Sequence, residues 1–542
     1  MTIIDSDHGL SGQNVSADTP VQAMGYGPAR SSYCYLFITP ANDLNAGLFP
    51  NTSPDDTLAR LKEFEIAYRG LDHPKPPKMN LAPVYTYFGQ FVNHDISAPV
   101  GGLAAEAADI APVAVIAQNA GDPPGLGKPG RAENTGVILE RILNEHGAPL
   151  TLDSLYADGP KSDDKDVNDM YRADAMRFRI ELAVRLDDRD ILALTKVQGP
   201  VHHPFPKARD IPRKNGQALI ADRRNDENLI LSQLHLALML LHNKAVDRLH
   251  EEFPDPAECF KAARQLVTLH YQWCVVHDYL ANLLTEGVLA DVLAKPPRLA
   301  NARDVPMEFT TAAFRFGHSM VSPAYDFNAN FGIGGGLRDH ATLMELFSFT
   351  SRGGMVPFPD ATQLPDHWIA DWNRLTRPPG DTSFGADAID MNFAYDMLNV
   401  MAHGANEVHG SIFFRNLVRG FHRRLPFGQD LARAYDLTPM KPDQIMLALP
   451  AELRTNPATK DFDTHTPAWL YCLCEAQPKV HGQKLGPLAS HIIADTIVGL
   501  LKHNPNSVLR VDDGRWTPAR SPLKSGDQNL DSIRALLLFA MA

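Results

Sequence analysis

Cysteine is scarce in this chain of 542 residues. The five cysteines are Cys34, Cys259, Cys274, Cys472 and Cys474. So small and odd a set in so long a chain excludes a disulfide framework as the basis of the fold. Cys472 and Cys474 are separated by one residue and have no second pair near them, which argues against a zinc site.

Runs of basic residues are also lacking. The chain carries 51 Lys and Arg against 64 Asp and Glu, a formal net charge of -13. Without a cluster of Lys and Arg there is no footprint for phosphates, so we expect no nucleic-acid partner. The acidic balance does not by itself identify a substrate.

Long apolar runs and a recognisable leader are absent as well. The longest apolar stretch, from Leu229 to Leu241, is interrupted by Ser232, Gln233 and His235, and we expect no membrane span from it. The first residues, MTIIDSDHGLSGQ, lack a basic segment followed by an apolar one. We therefore expect a soluble protein, cytoplasmic or exported without a recognisable signal peptide.

Several common enzyme motifs are missing. The sequence has no GxSxG and no GxxxxGK[ST], so a serine hydrolase and a P-loop nucleotide-binding protein have no motif support. The glycine-rich GIGGG at residues 332–336 lacks the GxGxxG spacing, and no strand pattern precedes it. A dinucleotide site there is not expected.

What the sequence does contain is helical patterning. Strict alternation of apolar and polar residues is rare, while apolar residues at spacings of three and four are common. We expect residues 1–25 to form a loose N-terminal arm and residues 26–542 to form one large, mainly α domain with long loops and little β structure. The helices predicted from this patterning are Asn228–Glu252, Cys259–Leu284, Thr310–Val321, Ala388–Ala402 and Pro487–Leu501.

Two segments in the first half of the chain carry residues that suit chemistry. In YTYFGQFVNHDIS, residues 85–97, a helix would place Gln90 and His94 one turn apart on one face. In ADRRNDENLILSQLH, residues 221–235, the acids suit a helix N-terminus, but the paired Arg223 and Arg224 oppose the helix dipole. Taken alone, each pattern is more often ordinary packing or charge placement than a site.

Two later segments carry a histidine and a carboxamide. In EFTTAAFRFGHSMVSP, residues 308–323, His318 follows Arg315 by three residues, and Gly317 would let a flat group approach the backbone. Such a histidine is either a core residue or an axial ligand of a metal cofactor. In FFRNLVR, residues 413–419, Asn416 could hydrogen-bond the far nitrogen of a ligating imidazole. Spacing alone does not pair Asn416 with His318.

Taken in order, these four segments resemble the animal haem peroxidases, the superfamily of myeloperoxidase, peroxidasin and the cyclooxygenases. The resemblance rests on GQFVNHD, RRNDEN, AFRFGHSMVSP and RNLVR, with HYQWCVVHDYL and LGPLASHIIADTIVGLL in support. It runs from about residue 30 to about residue 510. It implies a mostly helical domain around a buried haem b, in what we expect to be a bacterial-type member of the family.

The resemblance implies roles on both sides of that haem. His318 would bind the iron, and Asn416 would hydrogen-bond its other ring nitrogen. Arg315 and Arg419 would lie near the haem and neutralise its propionates. Glu227 matches the second of two residues that form haem esters in relatives.

On the opposite, distal face, His94 would act as the acid–base group on bound hydrogen peroxide. Arg224 would stabilise the charge that develops as the O–O bond breaks. Gln90 would hold the distal water network, and in halide-oxidising relatives this position helps to seat the halide.

The sequence departs from the family at the haem-linking positions. Asn93 stands where relatives have an ester-forming Asp, and Asn228 stands where myeloperoxidase has its linking Met. Neither residue can form those bonds, so we expect haem b to be held without covalent bonds or by one ester through Glu227. Efficient chloride oxidation is correspondingly disfavoured.

The resemblance also suggests a calcium site. Asp95 matches one calcium-ligand position, and TLDSLY at residues 151–156 corresponds loosely to the rest of the calcium loop. Thr151 and Asp153 are the candidate ligands there, because calcium prefers hard oxygen donors.

The expected activity is reduction of hydrogen peroxide with oxidation of a small organic, or halide-type, reducing substrate. Two alternatives stay open. One is a catalytically quiet haem- or calcium-binding structural protein. The other is a haem fatty-acid dioxygenase, which is disfavoured because Arg315 stands where that branch has a radical-forming Tyr three residues before the proximal histidine.

Overall fold

The structure, a computed structural model, describes most of the chain. The described residues are 31–37, 46–73, 77–98, 135, 138–139, 144, 150–204, 207–354, 362–377, 384–399 and 411–542. The predicted N-terminal arm and its boundary at residue 26 lie outside them.

Helices account for nearly all regular structure in these residues, as the sequence predicts. In chain order the α-helices are α1 Pro54–Arg69, α2 Val84–Ile96, α3 Asp153–Tyr156, α4 Lys165–Asp169, α5 Asp188–Thr195, α6 Leu229–Leu249, α7 Pro256–Cys274, α8 Ala281–Leu283, α9 Val288–Ala294, α10 Met307–Thr311, α11 Trp372–Leu375, α12 Tyr395–Asn399, α13 Ile412–His422, α14 Gly428–Ala434, α15 Pro442–Ala448, α16 Ala468–Glu475, α17 Gln477–Val480, α18 Pro487–His503 and α19 Ile533–Met541.

Short 3₁₀ segments connect many of these helices. They cover Arg223–Asp226, Ala313–His318, Glu345–Phe347, Asp366–Trp368, Ala451–Leu453, Pro457–Thr459, Val511–Gly514 and Pro518–Arg520, and a π-helical turn at Val275–Leu280 joins α7 to α8. The mainly α fold class is thereby confirmed.

The β structure consists of two-stranded pairs whose strands are two or three residues long. The strands are β1 Ser32–Cys34, β2 Glu181–Leu182, β3 Arg209–Asp210, β4 Arg213–Lys214, β5 Gln217–Ala218, β6 Asp304–Pro306, β7 Ala324–Tyr325, β8 Ala341–Thr342, β9 Lys524–Ser525 and β10 Gln528–Asn529. β1 pairs with β6 in parallel, and the pairs β2–β3, β4–β5, β7–β8 and β9–β10 are antiparallel.

The long helices α6 and α7 form the centre of the molecule. Asn228 caps α6, because its Oδ1 accepts the Leu231 N–H at 3.0 Å, and Asp255 caps α7 in the same way. Both helices are buried on most sides and pack against each other. One continuous buried cluster extends from Tyr33 to Ala540.

Helix α6 is longer than the apolar stretch that the sequence suggests. By length and hydropathy it could cross a membrane, but 89% of its most apolar window is buried inside the protein. Burial of that extent is typical of a core helix, so α6 gives no clear sign of a membrane span.

Four helix predictions are confirmed, by α2, α6, α7 with its continuation, and α18. The predicted helix Thr310–Val321 is instead divided at Ala312, where φ is −124° and ψ is −72°, into α10 and a 3₁₀ helix. This division separates the proximal segment from the long helices.

The predicted helix Ala388–Ala402 is wrong over residues 388–394. There the backbone N–H groups of Ala388 and Ile389 donate to Pro77 and Gly482, so the segment is an irregular connector tied to distant loops. The described helix begins only at Tyr395, and residues 400–402 lie outside the described part.

The position of α2 organises the functional region. It packs against α6, against the 3₁₀ turn Arg223–Asp226 and against the 3₁₀ helix Ala313–His318. Three of the four chemically informative segments therefore meet around one helix. The fourth lies on α13, which packs against α10 just before His318.

Candidate active site

His318 and Asn416 form a pair although 98 residues separate them. The Asn416 Nδ2 lies 2.9 Å from the His318 Nδ1. Asn416 is fully buried, and its Oδ1 has no hydrogen-bond partner within the described residues. A half-turn of the carboxamide exchanges its two ends, which would let Oδ1 accept the Nδ1–H of an imidazole that binds a metal through Nε2.

Positive charge surrounds His318. Burial, and then the nearby guanidinium groups, lower the pKa of His318 well below its usual value, which keeps the imidazole neutral. Neutral imidazole is the form that binds metals. The four guanidinium groups belong to Arg315, Arg419, Arg415 and Arg352.

These arginines come from three separate segments. Arg315 is fixed by its Nε, which donates to the Thr310 carbonyl at 2.8 Å. Arg419 and Arg415 are buried on α13, the helix that carries Asn416. The Arg352 Nη2 lies 4.0 Å from the Glu227 Oε2 and thus connects the proximal cluster to the segment after Arg224.

Open space adjoins the same pair. A Cβ added to Gly317 or to Gly420 would meet nothing within 4 Å in the described structure, and His318 as a residue is only partly buried. A haem suits this arrangement for three reasons. The imidazole is neutral and has a carboxamide behind it, the arginines can balance the two carboxylates of a haem, and there is space against a glycine backbone. By this test the proximal residues fit that group.

On the distal side, His94 is held by a residue that the sequence did not single out. Its Nδ1 donates to the Oδ1 of buried Asn225 at 2.9 Å. Since Nδ1 is the donor, the lone pair of the neutral ring is on Nε2.

Gln90 lies one turn before His94, on the same side of α2. Its Nε2 donates to the Glu227 Oε2 at 3.2 Å, and its Oε1 accepts from the Asn228 Nδ2 at 3.2 Å. The structure thus brings Gln90, His94 and Glu227 together, as the predicted site requires.

Arg224 lies against the end of α2. Its guanidinium donates to the backbone carbonyls of His94, at 3.1 Å, and Ser97, at 2.9 Å. It also binds the Asp222 carboxylate, with 2.6 Å between Nη2 and Oδ2. The buried Arg224 is therefore close to His94, and Asp222 balances part of its charge.

The position of Asp226 in the sequence suggests that it stabilises a helix N-terminus, but the structure gives it a different contact. Its carboxylate is fully buried and binds Arg213 through two bonds of 2.9 and 3.1 Å. Arg213 also donates to Asp210 at 3.0 Å. This network fixes the turn that carries Arg224 and Asn225.

The predicted calcium ligands come together without forming a calcium site. Asp95 accepts the Leu152 and Ser154 N–H groups at 3.1 and 3.3 Å. Asp153 Oδ1 accepts from the Thr151 hydroxyl at 2.8 Å and from the Arg264 Nη2 at 2.9 Å.

The donors and the guanidinium take the oxygens that a calcium ion would need. Within the described residues no cluster of three or more His, Cys, Asp or Glu could hold a metal ion. As arranged, Asp95, Thr151 and Asp153 do not fit calcium.

Sequence reasoning missed five residues of this region: Asn225, His235, Arg264, Arg352 and Arg415. Asn225 stands beside Arg224 in RRNDEN, so its segment was found but not its function. His235 and Arg415 also lie in the quoted segments 221–235 and 413–419, whereas Arg264 and Arg352 come from segments that carry no motif for their contacts.

The fold is mainly helical, and the residues around His318 fit a haem. Residues 173–351 match the model of the animal haem peroxidase family. Over this stretch, about a third of its length, the chain is similar to the animal haem peroxidases.

Curated relatives match over limited stretches. Dual oxidase 1 of Caenorhabditis elegans is 32% identical over 133 residues, which are 23% of this chain and 8% of that protein. Peroxinectin A of Dictyostelium discoideum is 32% identical over 121 residues, 21% of each chain. Peroxidase mlt-7 of C. elegans is 34% identical over 100 residues, 18% of this chain and 14% of the relative. The matched stretches thus span about a fifth of these relatives or less.

Solved structures resemble the fold over nearly its whole length. Peroxidase A from D. discoideum aligns with a TM-score of 0.54 and 16% identity, covering 90% of both chains. A fatty acid alpha-dioxygenase from Arabidopsis thaliana aligns with a TM-score of 0.52 and 14% identity, covering 90% of this chain and 81% of that one. At such identities the likeness concerns the fold alone.

Proposed function

We propose that this protein is a haem-dependent peroxidase that reduces hydrogen peroxide and oxidises a small organic or halide-type donor. The observation that carries this proposal is the 2.9 Å contact between Asn416 and His318. It joins two segments that family resemblance alone had paired, and the helix carrying His94 packs against the same 3₁₀ helix.

The proximal residues hold the cofactor. Haem b, when bound, supplies the iron at which peroxide is reduced. His318 would bind that iron through its imidazole, and Asn416 would fix the ring by its hydrogen bond at Nδ1. Arg315 and Arg419 would neutralise the haem propionates.

The distal residues move the proton. His94 takes a proton from peroxide at Nε2 and returns it to the departing oxygen, as a general base and then a general acid. Arg224 stabilises the negative charge that develops on that oxygen. Gln90, held by Glu227 and Asn228, orients the distal water.

The haem is held without covalent bonds or by one ester through Glu227. Asn93 has no carboxylate for an ester, and the amide of Asn228 hydrogen-bonds Gln90. Glu227 is the one haem-linking position that keeps its carboxylate.

Fatty-acid dioxygenation is the competing activity, because dioxygenases of that class share the fold. Arg315 argues against it. Its side chain stands where the dioxygenase branch needs a tyrosine that can form a radical, and a guanidinium cannot form one. A quiet haem-binding protein is disfavoured because it would need no acid–base pair opposite His318.

Absorption spectroscopy of the purified, haem-loaded protein tests the proposal. We expect a Soret band that shifts when hydrogen peroxide is added. His318→Ala should abolish five-coordinate haem. His94→Ala should keep the haem but slow the peroxide reaction by about 10²–10⁴-fold.

Two results would overturn the proposal. A protein that binds no haem would exclude every haem-dependent activity. A Soret band that peroxide leaves unchanged would support the quiet binder instead. His242→Ala, a buried histidine outside the site, is the matched control and should keep wild-type kinetics.

A further inference from the structure

We propose that Asn225 and His235 form a buried hydrogen-bond relay with His94, and that this relay fixes the protonation site of the distal histidine. The inference rests on the proposed function, since it assigns positioning residues to the acid–base group. Neither residue belongs to the set that the sequence motifs indicated.

The first link of the relay joins His94 to Asn225. The Asn225 Oδ1 lies 2.9 Å from the His94 Nδ1. A carboxamide oxygen can only accept, so the His94 Nδ1 must carry the proton. Nε2 then has the lone pair that a general base needs.

The second link joins Asn225 to His235. The Asn225 Nδ2 lies 3.2 Å from the His235 Nδ1. Complete burial lowers the pKa of His235 to about 3, so its ring is neutral near pH 7. Because an amide nitrogen donates, the His235 Nδ1 must accept, and its proton is on Nε2.

The His235 tautomer and the orientation of the amide are thereby coupled. A carboxamide can turn by half a revolution and present nitrogen where oxygen was. With the His235 lone pair on Nδ1, only the orientation in which the Asn225 nitrogen faces it forms the 3.2 Å hydrogen bond. The oxygen then faces His94 and accepts its Nδ1–H. The His94 tautomer is in this way linked to His235, which does not touch it.

Burial of His235 has a cost that packing does not explain. Its Nε2 is buried and has no hydrogen-bond partner within the described part of the chain. An unsatisfied buried N–H costs about 1–3 kcal/mol, so an apolar residue on α6 would be more stable there. A buried polar residue that lowers the stability of the folded protein is a common sign of function.

Charged groups around the relay do not replace it. Asp222 acts electrostatically on His235, but its carboxylate is bound to Arg224. Arg224 contacts the backbone carbonyl of His94, whereas the Nδ1 contact is with Asn225. The contact at the His94 Nδ1 is therefore the one with the carboxamide between the two rings.

The test that does not depend on activity is ¹⁵N NMR of the haem-free protein with labelled histidine. We expect the His94 ring to show a protonated Nδ1 and an unprotonated Nε2. In Asn225→Val and in His235→Leu this pattern should change to a mixture or to protonated Nε2. An unchanged pattern in both variants would overturn the relay.

Conservative variants separate positioning from simple loss of stability. His235→Gln keeps an acceptor for the Asn225 amide and should restore the wild-type tautomer. Asn225→Asp keeps an acceptor for the His94 Nδ1 and should do the same. His242→Leu, at another buried histidine of α6, should destabilise the protein without changing the His94 signals.

Kinetics of the haem-loaded protein then give a second readout. We expect Asn225→Val to slow the peroxide reaction by about 10²-fold and to change its pH profile, with haem binding retained. If the NMR pattern is as expected but His94→Ala has no kinetic effect, the proposed function fails and the relay stands. If the wild-type Nε2 is protonated while His94→Ala is slow, the relay fails and the function stands.

Discussion

At the scale of single residues, Asn416 is the choice that most affects the chemistry of the proposed site. A neutral amide behind His318 leaves the imidazole a weaker donor than a carboxylate partner would. Weak donation favours the reduced iron, so the proposed haem should have a comparatively high reduction potential.

Asn416→Asp tests this directly. A carboxylate hydrogen-bonded to Nδ1 gives the ring partial imidazolate character and stabilises the oxidised iron. We expect the reduction potential, measured by spectroelectrochemistry, to fall by at least about 59 mV, which is tenfold in a one-electron equilibrium. A rise, or no change with haem still bound, would contradict the pairing.

Glu227 carries the second prediction at this scale. We expect acidic organic extraction to remove all haem from wild type, or to leave a fraction bound through an ester. In Glu227→Gln the extraction should be complete, because Asn93 has no carboxylate for a second ester. Mass spectrometry of the extracted protein measures the difference. Haem retained by Glu227→Gln would show a link elsewhere.

At the scale of elements, the sequence predicts the long helices better than their connections. α2, α6 and α18 are predicted from apolar residues at helical spacing, because such residues form one face of a helix that packs into the core. The connector at residues 388–394 does not follow, because its N–H groups are satisfied by Pro77 and Gly482, far away in the chain. Tertiary hydrogen bonds of this kind leave no local pattern.

The candidate site divides in the same way. Family resemblance singled out His94, Arg224 and His318, whose segments meet around α2, and spacing placed Gln90 and His94 on one side of α2. The sequence could not predict contacts between elements. His235 lies on α6 and Asn225 precedes that helix, and no motif pairs the two residues. The calcium expectation failed to gain support because Arg264, on another helix, holds Asp153.

Arg264 therefore acts as an internal cation that ties the 151–154 turn to α7. Its side chain is 2% exposed and pairs with Asp153 at 2.9 Å. Removing one partner of a buried pair costs about 3–5 kcal/mol, and Asp153 is partly exposed, so we expect Arg264→Met to lose about 3 kcal/mol in urea unfolding. Arg433→Met, at an exposed pair, should change little.

Metal dependence gives the matching readout for the same turn. Because a guanidinium already neutralises Asp153, we expect EDTA and added calcium to leave the melting temperature of wild type unchanged. Destabilisation of wild type by EDTA would show that the turn binds a metal despite Arg264.

At the scale of the whole molecule, buried ionisable groups set how stability depends on pH. Burial lowers the pKa of His235 and His367 to about 3 and of His242 and His270 to about 4. In the unfolded chain these rings titrate near 6.5. Below that pH the unfolded state binds more protons than the folded state, so stability falls as the pH falls.

Buried carboxyl groups act in the opposite direction. Burial raises the pKa of Asp387 to about 6, of Glu308 to about 7 and of Glu475 to about 8. Between the unfolded values near 4 and these folded values, the folded state binds more protons. Stability from these groups is therefore lost as the pH rises, up to about pH 8.

The two sets oppose each other, so together they favour a maximum of stability between about pH 5 and about pH 8. On the alkaline side the carboxyl groups dominate and on the acid side the histidines dominate, each fully shifted group changing the free energy of unfolding by about 1.4 kcal/mol per pH unit. Urea unfolding of the haem-free protein at pH 5, 6.5 and 8 measures both sides.

Glu475→Gln removes a titrating group but keeps an acceptor for the Leu488 N–H, so it should flatten only the alkaline side. His242→Gln should flatten only the acid side. An alkaline slope unchanged by Glu475→Gln would mean that its carboxyl is already ionised in the folded protein at neutral pH.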